Sequence, residues 1–134
     1  MKGTYILVIF LRGNIEIIIG ALGKIKFKKG FYLYVGSAMG NSGSVTLINR
    51  VNRHISPPES KKVHWHIDYL LNNKFTSVYW IYLIPSIQNL ECLIANELLS
   101  VSDGHIKKFG SSDCHCETHL FYFEDFKNLK QLFQ

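Results

Sequence analysis

Four β-prone segments lie between Thr4 and Val35, and their spacing constrains the fold more than any other feature of the chain. Thr4 to Leu11 is a β-branched and aromatic run. Arg12-Gly13-Asn14 breaks it, and Ile15 to Ile19 resumes it, which is the signature of strand, tight turn and strand. Gly20 and Gly23 punctuate the exit, Lys24 to Phe27 alternates charged and apolar side chains like a short edge strand, and Lys29-Gly30 leads into Phe31 to Val35.

The rest of the chain supplies helices. Gly36 to Ser44 is small and polar, and the sequence predicts a helix beyond it, capped by Ser42 or Ser44, with Leu47, Ile48, Val51 and Ile55 on one face and Arg50 and His54 adjacent at i and i+4. Pro57-Pro58 ends that helix. A second helix is expected over His64 to Leu71 and a long buried strand over Phe75 to Ile84. A third helix is expected to open at Pro85-Ser86, with the stripe Leu90, Leu93, Ile94, Leu98 and Val101 and with Glu91 beside it. Leu120 to Phe123 reads as a last strand, and Phe126, Leu129 and Phe133 as the apolar face of a short docking helix.

At 134 residues and 47% apolar content, one domain spanning 1–134 can bury a core without disulfide staples. The formal charge of +5 favours an anionic partner. No apolar stretch approaches the roughly 20 residues that cross a bilayer, so no membrane partner is expected. The three cysteines, Cys92, Cys114 and Cys116, are an odd number with two close together, which argues against a disulfide framework and for a reducing, cytoplasmic setting.

Gly3-Thr4-Tyr5 and Tyr34-Val35-Gly36, followed by Arg50 and His54 on a helix and by a later helical glutamate, Glu91, together resemble the GIY-YIG endonuclease superfamily in kind and in order. His64-Trp65-His66-Ile67-Asp68-Tyr69-Leu70-Leu71 and Phe109-Gly110-Ser111-Ser112-Asp113-Cys114 resemble its Uri-type branch, which extends the likeness over nearly the whole chain. Tyr5 and Tyr34 stand further apart than in most of that superfamily, and an inserted hairpin from Ile15 to Phe27 accounts for the distance.

The resemblance implies an α/β domain of the α+β type, with a small, mostly antiparallel central sheet flanked by helices. It also implies metal-dependent hydrolysis of phosphodiesters in nucleic acid, DNA or RNA, with DNA the first expectation. Tyr5, Tyr34, Arg50, His54 and, less centrally, His64 would be catalytic. Glu91 would hold Mg2+ or Mn2+ and Asp113 would line the substrate groove, while Arg53, Lys61 and Lys62 are expected from their charge to contact nucleic acid. The chemistry is self-consistent. An arginine fork grips phosphate better than a lysine point charge, and a magnesium ion needs only one or two protein carboxylates beside water and phosphate.

Other readings stay open on the residues alone. The chain can be a nucleic-acid-binding module of the same fold that cuts nothing, or a zinc-stabilised interaction domain built on Cys114, His115, Cys116 and His119. Glu97 is a rival carboxylate, His64 with Asp68 is a helical i,i+4 pair that metals also use, and the lysines at 24, 26, 28 and 29 guard an edge strand as readily as they bind a phosphate backbone. A protein partner for targeting is compatible with a domain this small, as is either a monomer or a homodimer.

Overall fold

A computed structural model describes residues 1–57, 62–111, 114–125, 127, 129 and 130. Its centre is a five-stranded antiparallel sheet of order β5-β1-β4-β7-β6, formed by β1 (Gly3–Leu11), β4 (Gly30–Ala38), β5 (Thr76–Pro85), β6 (Gly104–His105) and β7 (Leu120–Phe123). Three helices, α1 (Leu47–Ile55), α2 (His66–Leu71) and α3 (Glu91–Val101), complete an α+β architecture among the described residues. None of them is long and apolar enough to cross a membrane.

The sheet has a core on each face, and the side-chain alternation of β1 and β4 feeds both. Tyr5, Leu7, Ile9 and Leu11 join Tyr32 and Tyr34 under α1 and α2, where Leu47, Val51, Ile67 and Leu70 meet them. Ile6, Val8, Leu33 and Val35 point the other way, against Ala95 and Leu98 of α3 and Leu129 of the tail. A strand covered on both sides has no solvent face to mark with polar residues, which is why Thr4 to Leu11 reads as unbroken apolar sequence.

The segment from Ile15 to Phe27 is a separate ribbon of β2 (Ile15–Ile19) and β3 (Gly23–Phe27), outside the main sheet. Ile19 and Phe27 anchor it to the core, while Lys24 and Lys26 lie on its exposed face near Glu16, at 3.5 and 4.0 Å. Those lysines therefore guard the ribbon and not an edge of the central sheet.

Several local expectations are corrected. Thr46, not Ser42 or Ser44, caps α1, its Oγ1 accepting from the Asn49 amide at 3.3 Å. The buried face of α1 is Leu47, Val51 and His54. Ile48 and Ile55 are exposed, because the helix turns His54 inward to Tyr5. β5 is an edge strand, so Tyr79, Trp80 and Leu83 are exposed where a buried strand was expected. α3 starts only at Glu91. Pro85 is still paired with Gly3 and the Ser86 amide donates to the Lys2 carbonyl, so the chain cannot turn into a helix earlier. Leu93 and Val101 consequently face outward. The short β6 was not anticipated. Phe126 and Phe133 of the expected docking helix lie outside the described residues, whereas Leu129 is buried as expected.

Candidate active site

The site forms where β4 outruns β7. Pairing between these strands ends at Tyr34 with Leu120, the Val35 amide donates to the His119 carbonyl, and the last residues of β4 line a cleft of about 530 Å³. Tyr5, Tyr34, Ser37, Arg50, Trp65 and Glu91 are among its walls. Strand register explains the first pair: Tyr5 lies opposite Gly36 and Tyr34 opposite Leu7, so both rings occupy the α1 face, with centroids 6.4 Å apart. Gly36 is required here, since a Cβ at that position would overlap the Cζ and hydroxyl end of Tyr5.

Tyr5 and His54 form a buried dyad, with the phenolic oxygen 2.7 Å from Nε2. Burial, then the neighbouring Tyr34, pushes the Tyr5 phenol well above its ordinary value despite the opposing pull of Arg50. Burial also raises the Tyr34 phenol, reinforced by Glu91 and Asp68. Both phenols are therefore protonated at neutral pH, and neither is a ready-made base.

Arg50 is held by its surroundings. Its Cζ sits 4.7 Å from the centroid of the Trp65 ring, and Nη1 donates to the Ser37 carbonyl at 3.4 Å. Glu91 approaches from the opposite face of the sheet at the first turn of α3, its amide capped by Asn89 Oδ1 at 3.0 Å. Its Oε2 accepts from Ser37 Oγ at 2.5 Å and its Oε1 lies 2.8 Å from His119 Nδ1. Burial alone would raise this carboxyl, but the bonds to His119 and Ser37, with the charges of His119 and Arg50, outweigh it and hold Glu91 below the usual range. The carboxylate is ionised and still faces the cleft.

The remaining sequence candidates are placed elsewhere. The His64 ring packs edge-on against Trp65, with centroids 4.8 Å apart, and does not line the cleft. Its backbone amide, together with that of Trp65, donates to Asp68 Oδ2, so His64 and Asp68 are not a side-chain metal pair. Arg53 makes a bidentate pair with Asp68 at 2.9 and 3.0 Å and donates to the Lys62 carbonyl at 2.8 Å, which directs its fork into the protein and not toward a phosphate. Lys62 is exposed, and Lys61 and Asp113 lie outside the described residues.

Ser37 and Trp65 escaped the sequence reading, and His119 entered it only as a zinc candidate. Ser37 directly follows Gly36, and Trp65 stands within a quoted motif, so their positions were visible but not their roles. Among the cysteines, Cys92 and Cys116 stand with their sulfurs together, and Cys114 lies beside them against His119.

A model of the family described as a domain of unknown function, DUF123, matches residues 4–134. The chain belongs to that family. No curated protein and no solved structure matches this DUF123 chain. The match begins at the strand that carries Tyr5 and runs through every residue of the cleft described above.

Proposed function

We propose that this DUF123 protein is a metal-dependent endonuclease of the GIY-YIG type that hydrolyses phosphodiester bonds in nucleic acid, DNA in the first instance. One observation carries the reading: Tyr5, Tyr34, Arg50 and Glu91, from four different elements, converge on a single cleft with His54 bonded behind Tyr5. The net positive charge of the chain supports an anionic substrate.

Each side chain then has a chemical task. Arg50, braced by Trp65, grips the non-bridging oxygens of the scissile phosphate with its fork. Tyr5 relays a proton. As its phenolic oxygen takes a proton from the attacking water, its own proton passes along the 2.7 Å contact to His54 Nε2, so no free phenolate has to form. The resulting hydroxide bonds to phosphorus as the bond to the leaving oxygen breaks, that oxygen takes a proton from cleft water to leave as the alcohol, and His54 returns its proton to solvent through Tyr5. Tyr34, protonated, donates to the water or to a phosphate oxygen.

Glu91 fits a hard divalent cation, being an ionised carboxylate at the cleft wall whose oxygens each retain a lone pair beyond their bonds to Ser37 and His119. Mg2+ or Mn2+ held there would neutralise charge on the phosphate. The test is cleavage of plasmid, single-stranded and branched substrates in either metal, for wild type, Glu91→Ala and Arg50→Ala. The expected result is that wild type cuts and both variants, folded, do not. Salt-sensitive binding without cleavage by wild type would replace the reading with a binding module.

A further inference from the structure

We propose that Cys92, Cys114, Cys116 and His119 form a zinc site that ties the first turn of α3 to the segment entering β7, with Glu91 as its supporting carboxylate. One ligand atom from each of the four residues lies within 4.8 Å of every other. Tetrahedral zinc, with Zn–S about 2.3 Å and Zn–N about 2.0–2.1 Å, needs ligand atoms about 3.5–3.8 Å apart, so small side-chain adjustments close the shell. Three thiolates and one imidazole suit zinc and not magnesium, which takes oxygen ligands.

His119 decides between this arrangement and a disulfide alone. Cys92 and Cys116 stand with their Cα atoms 6.0 Å apart and their sulfurs paired, which a disulfide explains. A disulfide gives no role to Cys114, yet its Sγ lies 3.3 Å from His119 Nε2 in the same cluster. The other ring nitrogen, Nδ1, lies 2.8 Å from Glu91 Oε1. A metal-binding histidine commonly gives its second N–H to a carboxylate, which fixes the tautomer and orients the ring. His119 is buried, so its ring is held in that direction.

The set differs from the one suggested by the sequence of the loop. His115 is exposed and outside the cluster, and Cys92 comes from α3 instead. Cys-x-Cys is a poor zinc knuckle alone, but a third thiolate from a helix completes it. The centre also borders the cleft, where Cys92, Cys114 and His119 contribute to the wall, so metal binding sets the position of Glu91. The proposal stands independently of the nuclease reading, because it concerns metal content and not catalysis.

The test is zinc content by elemental analysis and native mass spectrometry, on full-length protein expressed with added zinc and purified under reducing conditions without chelator. Wild type and His115→Ala should carry stoichiometric zinc, and Cys114→Ser and His119→Ala should lose it. Glu91→Gln should keep the metal but release it to a chromogenic chelator with affinity lowered about 10- to 100-fold. Should the losing variants fail to fold, cobalt exchanged into wild type should show thiolate-to-cobalt charge transfer. Metal-free wild type whose intact mass is two hydrogens lighter, with only Cys114 open to alkylation, would overturn the proposal in favour of the disulfide. Full zinc retention by folded Cys114→Ser would overturn it as well.

Discussion

Two carboxylates, Asp68 and Glu91, are both held below the usual range and lie on opposite faces of the sheet, yet they are built for different ends. Asp68 is fully buried and engaged from every side, with Arg53 bidentate on its oxygens and two backbone amides of the α2 entrance on Oδ2. Glu91 accepts from Ser37, lies 2.8 Å from His119 Nδ1, and keeps 20% of its side chain open beside Arg50. A similar shift therefore marks a structural clamp in one case and a partly open carboxylate at the cleft in the other. Remaining coordination capacity, and not the shift, separates them.

The largest effect should come from breaking the clamp. Asp68→Ala removes the carboxylate that Arg53 chelates and strips the α2 entrance of its cap, which should cost about 3–5 kcal/mol in denaturant unfolding. Glu91→Ala should leave the melting temperature near that of wild type and lower cleavage about 10²- to 10³-fold, the scale of removing one electrostatic stabiliser of a transition state. If Glu91→Ala unfolds the protein and Asp68→Ala does not, the contrast is reversed and the assignment of roles fails.

Smaller changes sharpen the contrast. Gly36→Ala forces a methyl group against the Cζ and hydroxyl end of Tyr5 and should cost about 1–3 kcal/mol, with cleavage falling further than stability because Tyr5 and His54 shift together. Acid sensitivity gives the mildest test. The folded carboxyl of Asp68 titrates below its unfolded value, so its contribution is complete above about pH 3.9 and is lost as pH falls through the folded value. Melting temperature plotted against pH should therefore decline less steeply in acid for Asp68→Asn than for wild type.

Much of this contrast could be read in the sequence, though unevenly. The strands of the first third were legible, because short turns and two-residue alternation are local rules, whereas the shared face of Tyr5 and Tyr34 depends on the register of β1 against β4. Arg50 and His54 were legible as helical neighbours, but not as one half-buried arginine at the cleft wall and one buried dyad partner. That split depends on how α1 is rotated against β1, which the buried position of His54 decides. Asp68 looked like half of a metal pair with His64, and only folding showed it serving Arg53 and the α2 entrance. His119 and Ser37 gave no local signal for their bonds to Glu91, because those contacts join the end of β4, the start of α3 and the approach to β7 across the fold. Cys92 was missed for the same reason, although the odd cysteine beside Glu91 was a usable hint.

The measurement that tests the central claim most directly is a crossed comparison of Glu91→Gln and Asp68→Asn, reading magnesium- or manganese-dependent cleavage per folded molecule and unfolding free energy on the same preparations. The account predicts that Glu91→Gln loses cleavage while staying folded, and that Asp68→Asn loses stability while its folded fraction still cuts. Cleavage at the wild-type rate by folded Glu91→Gln, or no cleavage by wild type in either metal, would contradict it.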